Sequence, residues 1–554
     1  MKPSVAEHFQ HSCRTTPIPA LLDELADLHP HQPLVSIPCD SHDVSAGYRD
    51  VSYGEFARAV NRAAWWIVET LGSRSSSFEA LHYVAPQDLS YMVLAVAAVK
   101  TGYITLTCHP AAGLDTHISL IEKTNCQYLL HPAPGFPKAK SILSAQPHMK
   151  PIMAPTLDFW LSDSDVPVLV YPYNRTLGEV LQTPFAAIHT SATTGTAKPI
   201  FMTHATMNQQ ALMYLCAEDP GSVNFRHWRD QRVAYLAPMT IAASFYTLLG
   251  INLVYNLTVV LPISSVGPVT ADVLDGTIQH GDVRSVIVSP KYLRETCANP
   301  SYLNRLRDLS HLVVVGAPCP LDIGPVLSRY VPITYVYGSS EANVFPIHVT
   351  SDPEDWAYLK FDEVAPFEFR PVGHGLHELV ILRDEKNIGQ SAFYMFPAMH
   401  EYPMKDLFRR HPDPRKAGLW RYCGRTDDWT ESDSVGHFIP RDMEVVLESC
   451  AAIKGAVVCE ERGGGMPVLV ELEDRVLQDG EGVGSQEKRE TWLTEISGWI
   501  EQANAFSPVK GCTLRNGVIF VSPDRPLPRG VKGYPQRSAS KSLYRREIEE
   551  AYAS

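Results

Sequence analysis

The chain has no basic run: 48 Lys and Arg stand against 61 Asp and Glu, a formal net charge of −13. A nucleic-acid binder must cluster cations to neutralise phosphates, so that class of partner is set aside. No stretch reaches the roughly 18 apolar residues of a membrane span, which sets aside a membrane partner as well. The amino-terminal MKPSVAEHFQHSCRTTPIP has neither an apolar core nor a small-residue cleavage pattern, so it does not read as a signal peptide. The 11 cysteines are scattered without a CxxC pair, which argues against a disulfide framework or a zinc site. A cytoplasmic protein is the expectation. A Walker phosphate loop, GxxxxGK[ST], is also missing.

What is present is length and α/β patterning. A chain of 554 residues, 45% hydrophobic and 20% charged, exceeds what one core organises, so two or three domains are expected. Ser52-Tyr53-Gly54-Glu55 reads as a capping box ahead of a helix through Phe56, Ala59, Val60, Ala63, Ala64 and Ile67. An apolar helix over 91–100 ends at Gly102, and a strand follows at 103–106. Short strands are predicted at 185–189, 233–236, 257–261, 283–288, 312–315 and 333–337, with helical stretches between them. That alternation implies an α/β fold with much parallel sheet. Beyond the polar stretch 411–416, strands at 456–458 and 468–470 and a helix near 490–502 form a separate group. The domain boundary falls at Gly424-Arg425-Thr426-Asp427.

The most informative segment is His189-Thr190-Ser191-Ala192-Thr193-Thr194-Gly195-Thr196-Ala197-Lys198-Pro199. Small hydroxyl residues, a glycine and a lysine after an apolar strand can turn donors and positive charge onto phosphate oxygens. It resembles the T-S-G-[ST]-T-G-x-P-K signature of the adenylate-forming superfamily of acyl-CoA synthetases, luciferases and peptide-synthetase adenylation domains. Ala192 replaces the first glycine, and the closing pair is reversed as Lys198-Pro199. Tyr335-Val336-Tyr337-Gly338-Ser339-Ser340-Glu341 is similar to the family's Y-G-x-T-E segment. Val313-Val314-Val315-Gly316-Ala317-Pro318, Asp406 in Lys405-Asp406-Leu407-Phe408, and Gly424-Arg425-Thr426-Asp427 match further segments in the same order. The hinge region and the tail Lys532-Gly533-Tyr534-Pro535-Gln536-Arg537 look like those of fungal synthetase-like carboxylic acid reductases.

The resemblance implies a large N-terminal α/β body of several sheets, residues 1–424, and a small mobile C-terminal α+β domain, residues 425–554. It implies an enzyme that joins a small carboxylic acid to the AMP portion of ATP, releasing pyrophosphate, and passes the acyl group to a thiol on a carrier-protein phosphopantetheine or CoA. Thr190, Ser191, Thr193, Thr194, Gly195 and Lys198 would hold phosphates. Tyr337, Gly338, Gly316 and Ala317 would flank adenine, with Ser340 at the α-phosphate and Glu341 at Mg²⁺. Asp406 and Arg425 would meet the ribose, and Asp427 would be the hinge. Lys532 is the candidate catalytic lysine, because the family's usual place holds Tyr534. The implied acid pocket is Met239, Thr240, Ile287, Val313, Val315, Val336, Val344 and Phe345. Its apolar character, and the lack of any acidic residue between Gln231 and Leu261, favour an aryl or aliphatic acid over an α-amino acid. A quaternary ammonium acid held by Phe245, Tyr246 and Phe345 is an alternative. So are a free-standing acyl-CoA or amide ligase, and a non-catalytic nucleotide-binding relative.

Overall fold

A computed structural model of the chain describes residues 4–72, 78–132, 136–163, 167–190, 197–208, 224–264, 269–364, 366–384, 390–473, 476–477, 486–507, 509, 514–529 and 535–553. Local signals act as read. The Ser52 hydroxyl accepts from the Glu55 amide at 3.2 Å while Glu55 accepts from the Ser52 amide at 2.8 Å, starting the helix Tyr53–Leu71. The helix Ser90–Thr101 stops at Gly102, whose φ of 83° suits a residue without Cβ. All twelve residues of that helix are buried, so it carries no polar face.

Five of the predicted strands join two unpredicted ones, Pro33–Pro38 and Tyr48–Ser52, in a seven-stranded sheet ordered Ile333–Val336, His311–Val315, Ser285–Val288, Arg232–Tyr235, Thr258–Val260, Pro33–Pro38, Tyr48–Ser52. Neighbours are parallel except the last pair. A second sheet runs Lys150–Met153, Tyr128–His131, Glu79–Tyr83, Tyr103–Thr107, Pro184–Thr190, Lys198–Thr203, with an antiparallel final pair. One hydrophobic core takes side chains from both sheets and from the helices Tyr53–Leu71 and Ser90–Thr101. Parallel strands buried on both faces are expected to be apolar runs rich in Val and Ile, and Ser285–Val288, His311–Val315 and Ile333–Val336 are.

Strand alternation splits the seven-stranded sheet. Ile287, Val313, Val315 and Val336 enter the core just described, while Val286, Val288, Leu312, Val314 and Tyr335 enter a second. The second core continues into an antiparallel sheet, Ile347–His348, Tyr358–Phe361, Trp420–Arg425, Glu401–Arg410, Leu376–Leu382, Phe367–Gly373. After Phe438 a three-stranded sheet, Ile453–Val458, Val468–Leu472, Val518–Phe520, organises its own cores. The fold class is therefore as expected: a large α/β body and a small C-terminal α+β domain.

The predicted helix at 490–502 is two helices, Gln486–Glu495 and Ser497–Asn504. Ser497 donates its hydroxyl to the Thr494 carbonyl at 2.7 Å and Gly498 follows, two residues that favour leaving a helix. Ile496 at the break is fully buried, so packing settles the bend. Among the described residues no helix is long and apolar enough to cross a membrane.

Candidate functional site

The end of the strand Ile333–Val336 runs into Tyr337 and a tight hairpin, Gly338–Ser339 pairing with Asn343–Val344, so that Ser340 and Glu341 occupy its tip. Gly338 permits this. A Cβ there would sit 1.9 Å from the Asn343 carbonyl oxygen and 2.8 Å from the Val344 Cα. Asn343 adopts φ 73°, a region that asparagine tolerates better than most residues. Its buried side-chain amide donates to the Thr206 carbonyl at 3.0 Å and the Ser391 hydroxyl at 2.9 Å. The hairpin is thus tied to the turn after the strand Lys198–Thr203.

Tyr337 donates its hydroxyl to Asp406 Oδ2 at 2.7 Å, and Arg425 Nη1 reaches Asp406 Oδ1 at 3.0 Å. The ring meets Phe361 and Phe408 edge-on at 5.2 and 5.6 Å and Phe345 at a tilt. Burial and the Asp406 carboxylate push the Tyr337 phenol well above its ordinary pKa, keeping it a donor. Asp406 is placed by an irregular register between Pro403 and Leu407, where Lys405 takes φ 61°. Bulges of this kind re-aim side chains beside functional sites. Burial opposes the charge on Arg425, but Asp406, Tyr422, Asp427 and Asp428 outweigh it and hold the guanidinium ionised.

Asp427 lies 3.2 Å from Lys405 Nζ and 3.6 Å from Arg425 Nη2. Next to it, burial raises the Asp428 pKa against the pull of Arg537, Arg425 and Arg441. Arg421 Nη2 stands 3.9 Å from Asp442, on the helix Arg441–Glu448. Charged groups from both sides of the 424–427 segment therefore meet here.

Tyr337, Asp406, Arg425 and Asp427 are joined by hydrogen bonds or ion pairs, and Glu341 lies close enough to raise the pKa of Tyr402, which also feels Arg425 and Asp406. Gly316, φ 85°, and Ala317 follow the neighbouring strand His311–Val315. Lys198 is exposed and pairs with Thr190 across the two-strand edge. Among the described residues no hydrogen bond or ion pair links Lys198 to Glu341. Ser191, Thr193, Thr194, Gly195 and Lys532 lie outside the described residues, as does the Thr190 side chain. Of the implied acid pocket, Met239, Ile287, Val313, Val315, Val336 and Val344 share one core with the helix Ala242–Tyr246. Thr240 is buried beside them, its carbonyl taking the Thr107 hydroxyl at 3.2 Å. Phe345 falls in the other core, against Tyr337 and Phe361.

Sequence reading missed Asn343 and Thr206, which hold the hairpin, and Tyr402, stacked on Phe396 at 5.5 Å. A polar residue capable of φ > 0 inside an apolar strand run was the available signal for Asn343. Nothing local marks Thr206, since its carbonyl is what acts.

A large α/β body in which Tyr337, Asp406 and Arg425 form one network, beside a small C-terminal α+β domain, is the setting of an AMP-forming, carboxylate-activating enzyme. The chain belongs to the AMP-binding enzyme family, whose pattern matches residues 24–362, with the family's C-terminal domain matching residues 434–554. It is 29% identical over 548 residues to an isocyanide synthase-NRPS hybrid of Aspergillus fumigatus, covering 97% of this chain and 33% of that protein. It is 26% identical over 541 residues to a carboxylic acid reductase of Neurospora crassa, covering 96% and 50%. The chain thus spans a third to a half of these relatives. The fold matches O-succinylbenzoate coenzyme A synthetase from Bacillus subtilis in complex with ATP and magnesium, with TM-score 0.68, 14% identity, and 95% of this chain and 100% of that one covered.

Proposed function

We propose that the chain activates a small aryl or aliphatic carboxylic acid as its acyl-adenylate and then passes the acyl group to a carrier-protein phosphopantetheine thiol. The observation that carries this reading is the Tyr337–Asp406–Arg425 network, beside which the hairpin holds Glu341. The acid's carboxylate oxygen attacks the α-phosphorus of ATP, and the bond to pyrophosphate breaks. Asp406, a two-oxygen acceptor, receives the ribose hydroxyls with Arg425 alongside. Tyr337, Gly316 and Ala317 flank adenine, and Ser340 meets the α-phosphate. Lys198 and the hydroxyl-rich segment before it stabilise the charge that develops on phosphate oxygens. Glu341, a carboxylate at a partly buried tip, suits Mg²⁺, which is commonly held by one carboxylate plus substrate phosphates and offsets their charge. Lys532 is assigned to the adenylation step.

In the second half-reaction, after a rotation of residues 425–554 about Asp427 against residues 1–424, the thiol sulfur attacks the acyl carbon, the acyl–phosphate bond breaks and AMP leaves. The charged contacts around Asp427, Asp428 and Asp442 are those such a rotation would exchange. Thiol transfer to a carrier is supported by the relatives, larger proteins named as a synthetase hybrid and a carboxylic acid reductase.

Acid-dependent ATP–pyrophosphate exchange across a panel of benzoate, phenylacetate and hexanoate tests the first half. Comparing acceptors (CoA, a phosphopantetheinylated carrier protein and an amine) tests the second. Silence across the panel with ATP still bound would replace this reading with a non-catalytic one. Glu341→Gln is expected to lower exchange by about 100-fold or more with the fold intact. Asp406→Asn keeps the shape but removes the charge facing Arg425; KM for ATP should rise by about 10- to 100-fold while KM for the acid stays within about threefold. Equal rises in both constants would argue against a ribose role.

A further inference from the structure

The helix that packs on the Glu341 hairpin buries a polar atom which the described fold leaves unused. Tyr246 is 1% exposed, yet its hydroxyl has no hydrogen-bond partner among the described residues. A buried hydroxyl without a partner is unfavourable, so its retention calls for a role. A neighbouring tyrosine shows the ordinary solution: Tyr235 shares a 2.8 Å bond with Ser244, which donates on to the Pro238 carbonyl at 2.5 Å. Tyr246 has no such arrangement. The polar side chains around it are Thr206 and Glu341. The Thr206 hydroxyl donates to the Thr203 carbonyl at 2.9 Å and accepts from the Thr203 amide at 3.0 Å; it stands near enough to lower the phenol pKa, but its geometry does not complete a hydrogen bond with the Tyr246 hydroxyl.

Its position is specific. The helix Ala242–Tyr246 lies against Asn343–Val344, the returning arm of the hairpin whose tip is Glu341. At the next residue the helix widens into a π turn, Thr247–Ile251, before resuming as Asn252–Tyr255. An inserted residue of this kind alters which way the preceding side chains point, and such turns recur at functional sites. Of the residues implied for the acid pocket, Met239, Ile287, Val313, Val315 and Val336 share this core and carry no hydrogen-bonding group. Burial, with Glu341 adding to it, pushes the phenol pKa up, so the group is a neutral donor. A lone donor beside the residues implied for the acid pocket matches an acceptor on the ligand, and the acid's head group is an anionic oxygen pair.

We propose that the Tyr246 hydroxyl donates a hydrogen bond to the carboxylate of the acid at the Glu341 end of the pocket, making Tyr246 a substrate-binding residue that orients the attacking oxygen. This rests on the adenylation reading above. It assigns the recognition of the head group to one side chain and leaves the choice of acid to the aliphatic residues.

The test is Tyr246→Phe in the full chain, read in two ways. Without ligand its thermal midpoint should equal or exceed that of the unsubstituted protein, because only an unpartnered hydroxyl is removed. In pyrophosphate exchange, with whichever of benzoate, phenylacetate or hexanoate the unsubstituted protein uses fastest, KM for the acid should rise by about 10- to 100-fold and KM for ATP should not move. An unchanged KM for the acid would overturn the proposal, and so would a marked fall in the thermal midpoint, which would reveal a structural partner. If the unsubstituted protein exchanges with none of the three acids, the adenylation reading itself fails and this assignment falls with it.

Discussion

Replacing Gly338 with alanine is expected to cost about 3 kcal/mol of stability and to lower acid-dependent exchange by about 100-fold or more. The added methyl would stand 1.9 Å from a backbone oxygen, Asn343 O, and 2.8 Å from the Val344 Cα. Neither atom belongs to a flexible side chain, so relief requires opening the hairpin. Opening it breaks the register that pairs Gly338 with Val344 and Ser339 with Asn343, and with it the placement of Ser340 and Glu341. The Asn343 bonds to Thr206 and Ser391 then lose their geometry, which propagates the strain toward the strand Lys198–Thr203. Gly418→Ala is the matched control, since a Cβ there meets nothing within 4 Å. Chemical unfolding and exchange assays on both variants decide the matter. If the two behave alike, the close approach at Gly338 does not constrain the site.

The second large effect is loss of stability in mild acid. His82 and His117 are hydrogen-bonded to each other at 3.0 Å and fully buried, and His204 is buried between Tyr173 and Phe185. His82 donates Nδ1–H to the Leu106 carbonyl, which makes its Nε2 the acceptor of the His117 proton. Burial lowers their pKa values from 6.5 to about 4 for His82, about 2 for His117 and about 3 for His204. Each is therefore neutral in the fold and protonates first in the unfolded chain. The sign follows: the unfolded state binds more protons below pH 6.5, so the stability present above that value is lost as pH falls toward 4. Three such groups amount to at most about 4 kcal/mol per pH unit in that window. The thermal midpoint should drop steeply between pH 6.5 and 4.5. His204→Phe, a ring that does not titrate among aromatic neighbours, should make the slope shallower by up to about 1.4 kcal/mol per pH unit. A midpoint that stays level across this range would show that these rings are charged or solvated in the fold.

Much of this was legible in the residues. Short apolar runs, mostly Val- and Ile-rich, marked the strands of the seven-stranded sheet from 232 onward, because a strand covered on both faces must be largely apolar. Ser52, Glu55 and Gly102 marked helix ends, because capping is chemistry within a few residues. Tyr337, Asp406 and Arg425 were found through motifs and do meet, 69 and 19 residues apart in the chain. Lys198 was found in the same way, and the loop before it lies outside the described residues.

The rest depended on contacts that no local pattern encodes. Periodicity places Val313, Val314 and Val315 on a strand, but which face adjoins the helix Ala242–Tyr246 and which adjoins Phe361 follows from how the sheets stack. Phe345 shows the consequence, standing one residue from Val344 and in a different core. The break at Ile496 follows from burial, and the aim of Asp406 from an irregular register at Lys405. Asn343 acquires meaning only when the Thr206 carbonyl, 137 residues away in sequence, arrives beside it. Composition, periodicity and caps therefore set the element types and the class of chemistry, since each is a property of adjacent residues. The placement of Glu341 at the hairpin tip, the unused Tyr246 hydroxyl and the acid-sensitive histidine pair were decided in three dimensions, because burial and hydrogen-bond completion are properties of the packed whole.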